Sequence, residues 1–245
     1  MSNGFEKTAD NPLTPAETAD EQYFFALMTS SNNSGANGVA FLTLDSDDKT
    51  LTIDAAAIGL EPNQEHPFHI HGFADDRPSE LPTIVQDTDL DGFVEVPEGE
   101  PVFGPVLLPL TQDDPIRVAT AGGALVPPVD DMPPVDDMPK FPVADANGVI
   151  EFSETYKFDL SDPEQAASFS ELTDRLEGRG IQFHGLELPD GAGEDTGNEV
   201  NGNGGYIAEV PVANGIIRDL PAGLTPELLD TLGITPLDVA EFIFA

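Results

Sequence analysis

The sequence predicts an all-β protein, and three observations carry that expectation. Leu51, Ile53 and Ala55 alternate with Thr52, Asp54 and Ala56, as the two faces of a half-buried strand should, and similar short runs recur along the chain. Twenty-three glycines and 23 prolines supply turns. With 39% hydrophobic residues, the 245-residue chain can bury a sizeable core as one large or two small domains.

Residues 1–21 are polar and contain proline, which reads as a loose N-terminal arm. Strands are expected at Tyr23–Met28, Val39–Leu44 and Leu51–Leu60, with the Asp- and Ser-rich stretch 45–49 as the turn between the second and third. A histidine-rich strand follows. Further strands are expected at Phe93–Val96, Val102–Leu110, Ile116–Thr120 and Val149–Phe152, then around Ile181–Leu186 and Tyr206–Ile217. A tandem Pro-Pro-Val-Asp-Asp-Met repeat over 127–138 excludes a central strand or helix and reads as an extended surface loop, solvated or partner-binding. Asp162-Pro163-Glu164 opens a helix reaching about Leu176, and Thr225-Pro226-Glu227 opens another reaching about Leu232. The final residues, Asp238 to Ala245, read as an amphipathic segment docked on the core. They also resemble the C-terminal tails of some substrates of bacterial type I exporters.

Nine Lys and Arg oppose 46 Asp and Glu, a formal net charge of -37. Such a chain repels nucleic-acid phosphates and anionic membranes and attracts cations. Two environments fit: a calcium-rich exterior, at the cell surface or beyond, or the cytoplasm of a salt-adapted organism. The first 22 residues lack the basic-then-apolar pattern of a secretory signal peptide. No stretch approaches the 18 or so apolar residues of a membrane span. The absence of cysteine excludes disulfides, thiolate zinc sites and blue-copper sites.

Three of the four histidines lie in His66-Pro67-Phe68-His69-Ile70-His71-Gly72, and the fourth in Ile181-Gln182-Phe183-His184-Gly185. On a strand, residues i and i+2 share a face. Phe68 and Ile70 then face a core, while His69 and His71 point away together. Ile181 and Phe183 likewise oppose Gln182 and His184. Two imidazoles from one strand and one from a distant strand can converge on a single metal, and such nitrogen ligands suit copper, zinc, nickel or iron. The alternative is that these are solvated histidines on polar faces.

These runs resemble the copper/zinc superoxide dismutase fold and its relative, the CHRD (chordin-type) domain. Ile58-Gly59-Leu60 leading into His66–Phe73 resembles the family's Gly-Leu followed by His-Gly-Phe-His-Val-His-x-Phe. Asp91-Gly92-Phe93-Val94-Glu95-Val96 resembles the turn and strand after its zinc loop. Gly178-Arg179-Gly180-Ile181-Gln182-Phe183-His184 resembles the strand carrying its last copper ligand, and the glycines over 191–205 resemble its active-site loop. The resemblance covers about 22–110 and 178–218 and makes 111–177 an insertion. It implies a Greek-key β-sandwich over 22–218; the helix signals beyond it make 219–245 a short helical segment. It makes His69, His71 and His184 copper ligands and His66 a buried histidine bracing them. The bridging and zinc-binding histidines have no counterpart, so no zinc is expected. The family's active-site arginine is missing near Gly204–Ile207, which makes efficient superoxide turnover unexpected.

A second metal candidate is Asp87-Thr88-Asp89-Leu90-Asp91-Gly92-Phe93-Val94-Glu95-Val96-Pro97-Glu98, which resembles a calcium loop. Asp87, Asp89, Asp91, the Phe93 carbonyl, Glu95 and Glu98 fall at ligand positions. Pro82 and Pro97 argue against the flanking helices of an EF-hand, and a hairpin turn with Asp-Gly at its tip is the alternative. The expected function is a metal-binding domain of the CHRD/dismutase type, holding copper and also calcium, without efficient catalysis. The rivals are a copper-only superoxide dismutase and a structural or adhesive extracellular calcium-binding domain.

Overall fold

The computed structural model describes residues 21–75, 77–112, 140–197 and 199–244. The expected strand at Ile116–Thr120, the proline repeat and all but the last residue of the N-terminal arm lie outside them.

Three long strands come first: β1 (Glu21–Ser30), β2 (Asn37–Asp45) and β3 (Thr50–Ile58). They form an antiparallel meander, and the second turn forms as expected: Asp45 Oδ1 accepts from the N–H groups of Asp47 and Asp48. The histidine strand is β4 (Phe68–His71), and β5 (Val106–Pro109) pairs with it. β6 (Ile150–Lys157) lies within the segment expected as an insertion, yet pairs along its length with β3. β7 (Gly180–Leu188) carries His184 and pairs with β4 and with β8 (Gly205–Ile216), while the short β9 (Arg218–Asp219) joins β1.

All these pairings are antiparallel, in the order β5-β4-β7-β8-β1-β2-β3-β6, with β9 on β1. The sheet curls because β1 changes partner: Glu21–Met28 pair with β2, but Thr29 and Ser30 pair with β8. The curl brings β4 and β6, far apart in the strand order, face to face: Phe68 of β4, which stacks on its cross-strand partner Phe183 of β7 (ring centroids 3.8 Å apart), meets Phe152 of β6 edge-on at 5.4 Å. Phe68, Ile70, Ile181 and Phe183 are fully buried in this core, the face that alternation assigned to them.

Two expectations are corrected. Residues 93–96 form no strand, and the one expected over Val102–Leu110 is shortened to β5. The sequence instead forms helix α1 (Val96–Phe103). Glu98 folds back so that its Oε2 accepts from the Glu95 N–H at 3.2 Å, a capping arrangement, and Pro97 sits in the first turn, where no N–H is needed. Pro97 therefore opens the helix after the acidic loop rather than preventing it, and no hairpin forms there. Gly104, at φ 95°, ends α1.

Helices α2 (Pro163–Thr173) and α3 (Pro226–Thr231) form where the proline starts placed them. The last segment is α4 (Pro236–Phe244), docked by its buried Ala240 on Val39 and Phe41. Among the described residues no helix is long and apolar enough to cross a membrane.

Candidate metal centre

His69, His71 and His184 come together on the side of β4 and β7 away from the phenylalanine core. One nitrogen from each ring lies within 4.8 Å of the others. The ring centroids are 5.0 Å (His69 to His184), 5.7 Å (His69 to His71) and 6.0 Å (His71 to His184) apart. Both strands are irregular at these positions. The β4–β5 register shifts between Ile70 and His71, and the β7–β8 register shifts on both sides of His184. Such bulges re-aim a side chain. The bend after His184 uses Gly185 at φ 106°, where a Cβ would run into the Tyr206 hydroxyl.

The three rings are not on a solvated face; each is at least nine-tenths buried. Phe103 packs on His71 (5.0 Å) and Phe141 stands edge-on to His69 (5.2 Å). The ring nitrogens divide into two sets. His71 Nδ1 donates to the Gly104 carbonyl (3.0 Å) and His184 Nδ1 to the Glu209 carbonyl (2.6 Å). Those bonds place the proton of each ring on Nδ1 and leave Nε2 as its lone pair. His71 Nε2, His184 Nε2 and His69 Nδ1 are buried with no hydrogen-bond partner among the described residues. Buried polar atoms are normally satisfied. Three unsatisfied lone pairs in one cluster fit a metal ion, and the carbonyl partners are of the kind that orient metal-bound histidines.

Electrostatics favours the ligating form. Burial holds all three imidazoles below their ordinary value, His69 well below it, His71 at about 3 and His184 at about 4. A charge on one ring would also repel charge on its neighbours: His184 acts on His69 and His71, and His71 on His69. At neutral pH the rings are therefore uncharged, with lone pairs free.

His66 lies on the opposite side of the strand run and is fully buried. Its Nδ1 lies 2.7 Å from the His184 carbonyl oxygen and its Nε2 3.0 Å from the Glu61 carbonyl oxygen. Arg179 is buried as well, donating to the backbone carbonyls of Phe73 and Glu171, so it reaches no open surface.

The acidic loop is organised by its own carboxylates. Asp87 accepts from the N–H groups of Leu90 (2.7 Å) and Gly92 (3.0 Å), and Glu98 Oε1 from the N–H (2.6 Å) and hydroxyl (2.7 Å) of Thr88. Burial pushes Glu98 up, but these bonds outweigh it and hold it below the usual range. Asp87, Asp89 and Glu98 form one group of clustered oxygens, and Asp89, Asp91 and Glu95 another. Oδ2 of Asp89 and Oδ2 of Asp91 are buried without hydrogen-bond partners among the described residues. Asp91 is raised, by burial first and then by Asp89, Asp87 and Glu98, against the N–H of Phe93. The Phe93 N–H donates to Asp91 Oδ1 at 2.8 Å, and its side chain packs against the main core.

Sequence reasoning missed Glu199, from the glycine-rich loop. Burial, and then Glu95 and Glu209, push it up to about 7. It also missed the Gly104 and Glu209 carbonyls, which carry no side-chain signature, and Phe141. Helix α1 joins the two regions, with Glu95 and Glu98 at its start and Phe103 and Gly104 against His71 at its end.

Compared with protein-family models the chain matches none, and a comparison with curated proteins likewise gives no match.

Proposed function

We propose that this chain is a copper-binding domain of the CHRD/superoxide-dismutase-like type, a Greek-key β-sandwich in which His69, His71 and His184 hold the metal and His66 braces them. The observation that carries this reading is the convergence of three buried, uncharged ring nitrogens without other partners among the described residues. Three imidazoles with no thiolate are a ligand set that suits copper, and the resemblance selects copper for it, while the family's separate zinc site lacks its bridging and other histidine ligands. When bound, copper would supply one-electron redox chemistry. The chain's own contribution is to orient the rings through the Gly104 and Glu209 carbonyls and to wall them from water with Phe103 and Phe141.

Efficient superoxide turnover does not belong to this reading. The net charge of -37 opposes an anionic substrate, and the family's active-site arginine is absent from Gly204–Ile207. Calcium in the acidic loop is a second part of the proposal, held through Asp89, Asp91 and Glu95, with Asp87 and Glu98 shaping the loop. The clustered oxygens support it. An extracellular or cell-surface setting, where calcium is plentiful, suits this acidic chain.

The test is metal content and turnover together. Protein purified from its native source should carry copper near one equivalent and dismutate superoxide slowly per copper. Calcium without copper would favour the structural or adhesive rival, and fast turnover per copper the dismutase rival.

A further inference from the structure

We infer that a chamber lined by His71 of the candidate metal centre, with the groove that adjoins it, binds a small uncharged molecule that both donates and accepts hydrogen bonds. The inference goes beyond the copper reading, because protein atoms alone form both spaces. The groove, about 420 Å³, lies between the turn at 29–33 and the segment 81–84. Its walls are tied together by Asn32, whose Oδ1 accepts from the Val94 N–H and whose Nδ2 donates to the Val94 and Pro211 carbonyls. The chamber, about 40 Å³, shares Pro82, Val94 and Asn214 with the groove and reaches the ring of His71.

Two amides form the polar part of the chamber. Gln182 and Asn214 are directly opposite each other on β7 and β8, 3% and 4% exposed, and Gln182 Nε2 donates to Asn214 Oδ1 at 2.7 Å. That bond uses one atom of each side chain. Gln182 Oε1 and Asn214 Nδ2 have no partner among the described residues, yet neither is among the sealed, unsatisfied atoms, so both open on the space they line. An acceptor and a donor lie side by side in a chamber whose apolar walls include Val94, Phe103 and Val106. A buried amide pair of this kind is costly unless something satisfies it.

Size and charge restrict the ligand. One water needs at least about 10–15 Å³ of such volume, so the chamber takes a molecule of about two or three non-hydrogen atoms. Among the described residues none that lines the groove is charged, although the chain carries 46 acidic residues. Among the described residues that line the chamber the acidic ones are Glu95, whose carboxylate is fully buried and accepts from the Val200 N–H, and Glu100. Anions are opposed there and neutral molecules are not. Hydrogen peroxide has the required size, neutrality and paired donor and acceptor character, and methanol matches it in size without being an oxidant.

The test uses the metal-free full-length protein, so that failure of copper binding leaves it intact. The side-chain amide signals of Gln182 and Asn214 are followed by nitrogen-15 NMR during titration with hydrogen peroxide, methanol or sodium azide at constant ionic strength. At least one neutral probe should shift both signals with half-saturation at about 1–10 mM, the range set by so few atoms. Azide should bind at least tenfold more weakly. Gln182→Leu should abolish the Asn214 response. Val106→Leu, which keeps both amides but fills the chamber, should weaken it at least tenfold and serves if the first variant does not fold. Absence of a saturable shift with both neutral probes, azide binding as tight as theirs, or an unchanged response in Val106→Leu overturns the inference.

Discussion

His66 Nδ1 lies 2.7 Å from the carbonyl oxygen of His184, so the histidine outside the cluster grips the backbone of the strand that carries its third member. The grip falls where β7 departs from regular pairing and turns through Gly185. His66 thus fixes where the His184 ring can point, without a nitrogen aimed at the cluster.

Replacing His66 by Ala should cost about 2–4 kcal/mol of stability, since it opens a cavity and strips partners from buried carbonyls. It should weaken copper binding by about 10–100-fold, the usual effect of removing a group that orients a ligand. Urea unfolding and copper titration check the two effects separately. Affinity unchanged in His66→Ala would show that the bend of β7 is set elsewhere.

The depressed histidine values fix the sign of a pH effect. Folding without metal lowers the values of His71 and His184 from about 6.5 to about 3 and 4. Between those limits the unfolded chain binds more protons, so metal-free stability falls as pH drops from about 6.5 toward 4. Relative to a His71→Gln variant, the wild type should lose about 1.4 kcal/mol more per pH unit within that window. The difference between the two removes the shared titration of the carboxylates. Parallel stability profiles would contradict burial of a neutral His71.

Calcium should raise the melting temperature beyond the effect of sodium at equal ionic strength, by an amount that grows with the logarithm of its concentration. Asp89→Asn with Asp91→Asn should remove most of that rise. Glu98→Gln should lower stability even without calcium, because Glu98 accepts hydrogen bonds from Thr88 and Glu95. Equal calcium responses in wild type and the Asp89/Asp91 variant would leave the loop as a self-braced turn.

Much of the site was legible because strand geometry is simple. Phe68 and Ile70 against His69 and His71, and Ile181 and Phe183 against His184, are a period-two pattern that needs no structure to read. The convergence itself depends on bulges at His71 and His184, which the alternation of side chains does not encode. Residues 93–96 were misread because Phe93-Val94-Glu95-Val96 has strand composition. What decides the outcome is the Glu98 side chain returning to the Glu95 N–H, with Pro97 fitting the first turn of α1. The enclosing of the histidines by Phe103 and Phe141 follows from chain paths that local pattern does not encode.

Any superoxide turnover by the copper-loaded protein should rise with ionic strength, because screening weakens the repulsion between the acidic chain and an anion. Stopped-flow rates at increasing sodium chloride measure this directly. Rates that fall with salt would reveal a local positive path to the metal.

The most direct test of the copper reading is calorimetric titration of the metal-free protein with Cu²⁺, beside His71→Ala and a His69→Ala/His71→Ala double variant. The wild type should bind one Cu²⁺ tightly at the histidine cluster, His71→Ala should lose most of that affinity, and the double variant should retain only loose binding to surface carboxylates. Tight binding of equal stoichiometry and affinity in all three proteins would contradict a metal centre at His69, His71 and His184.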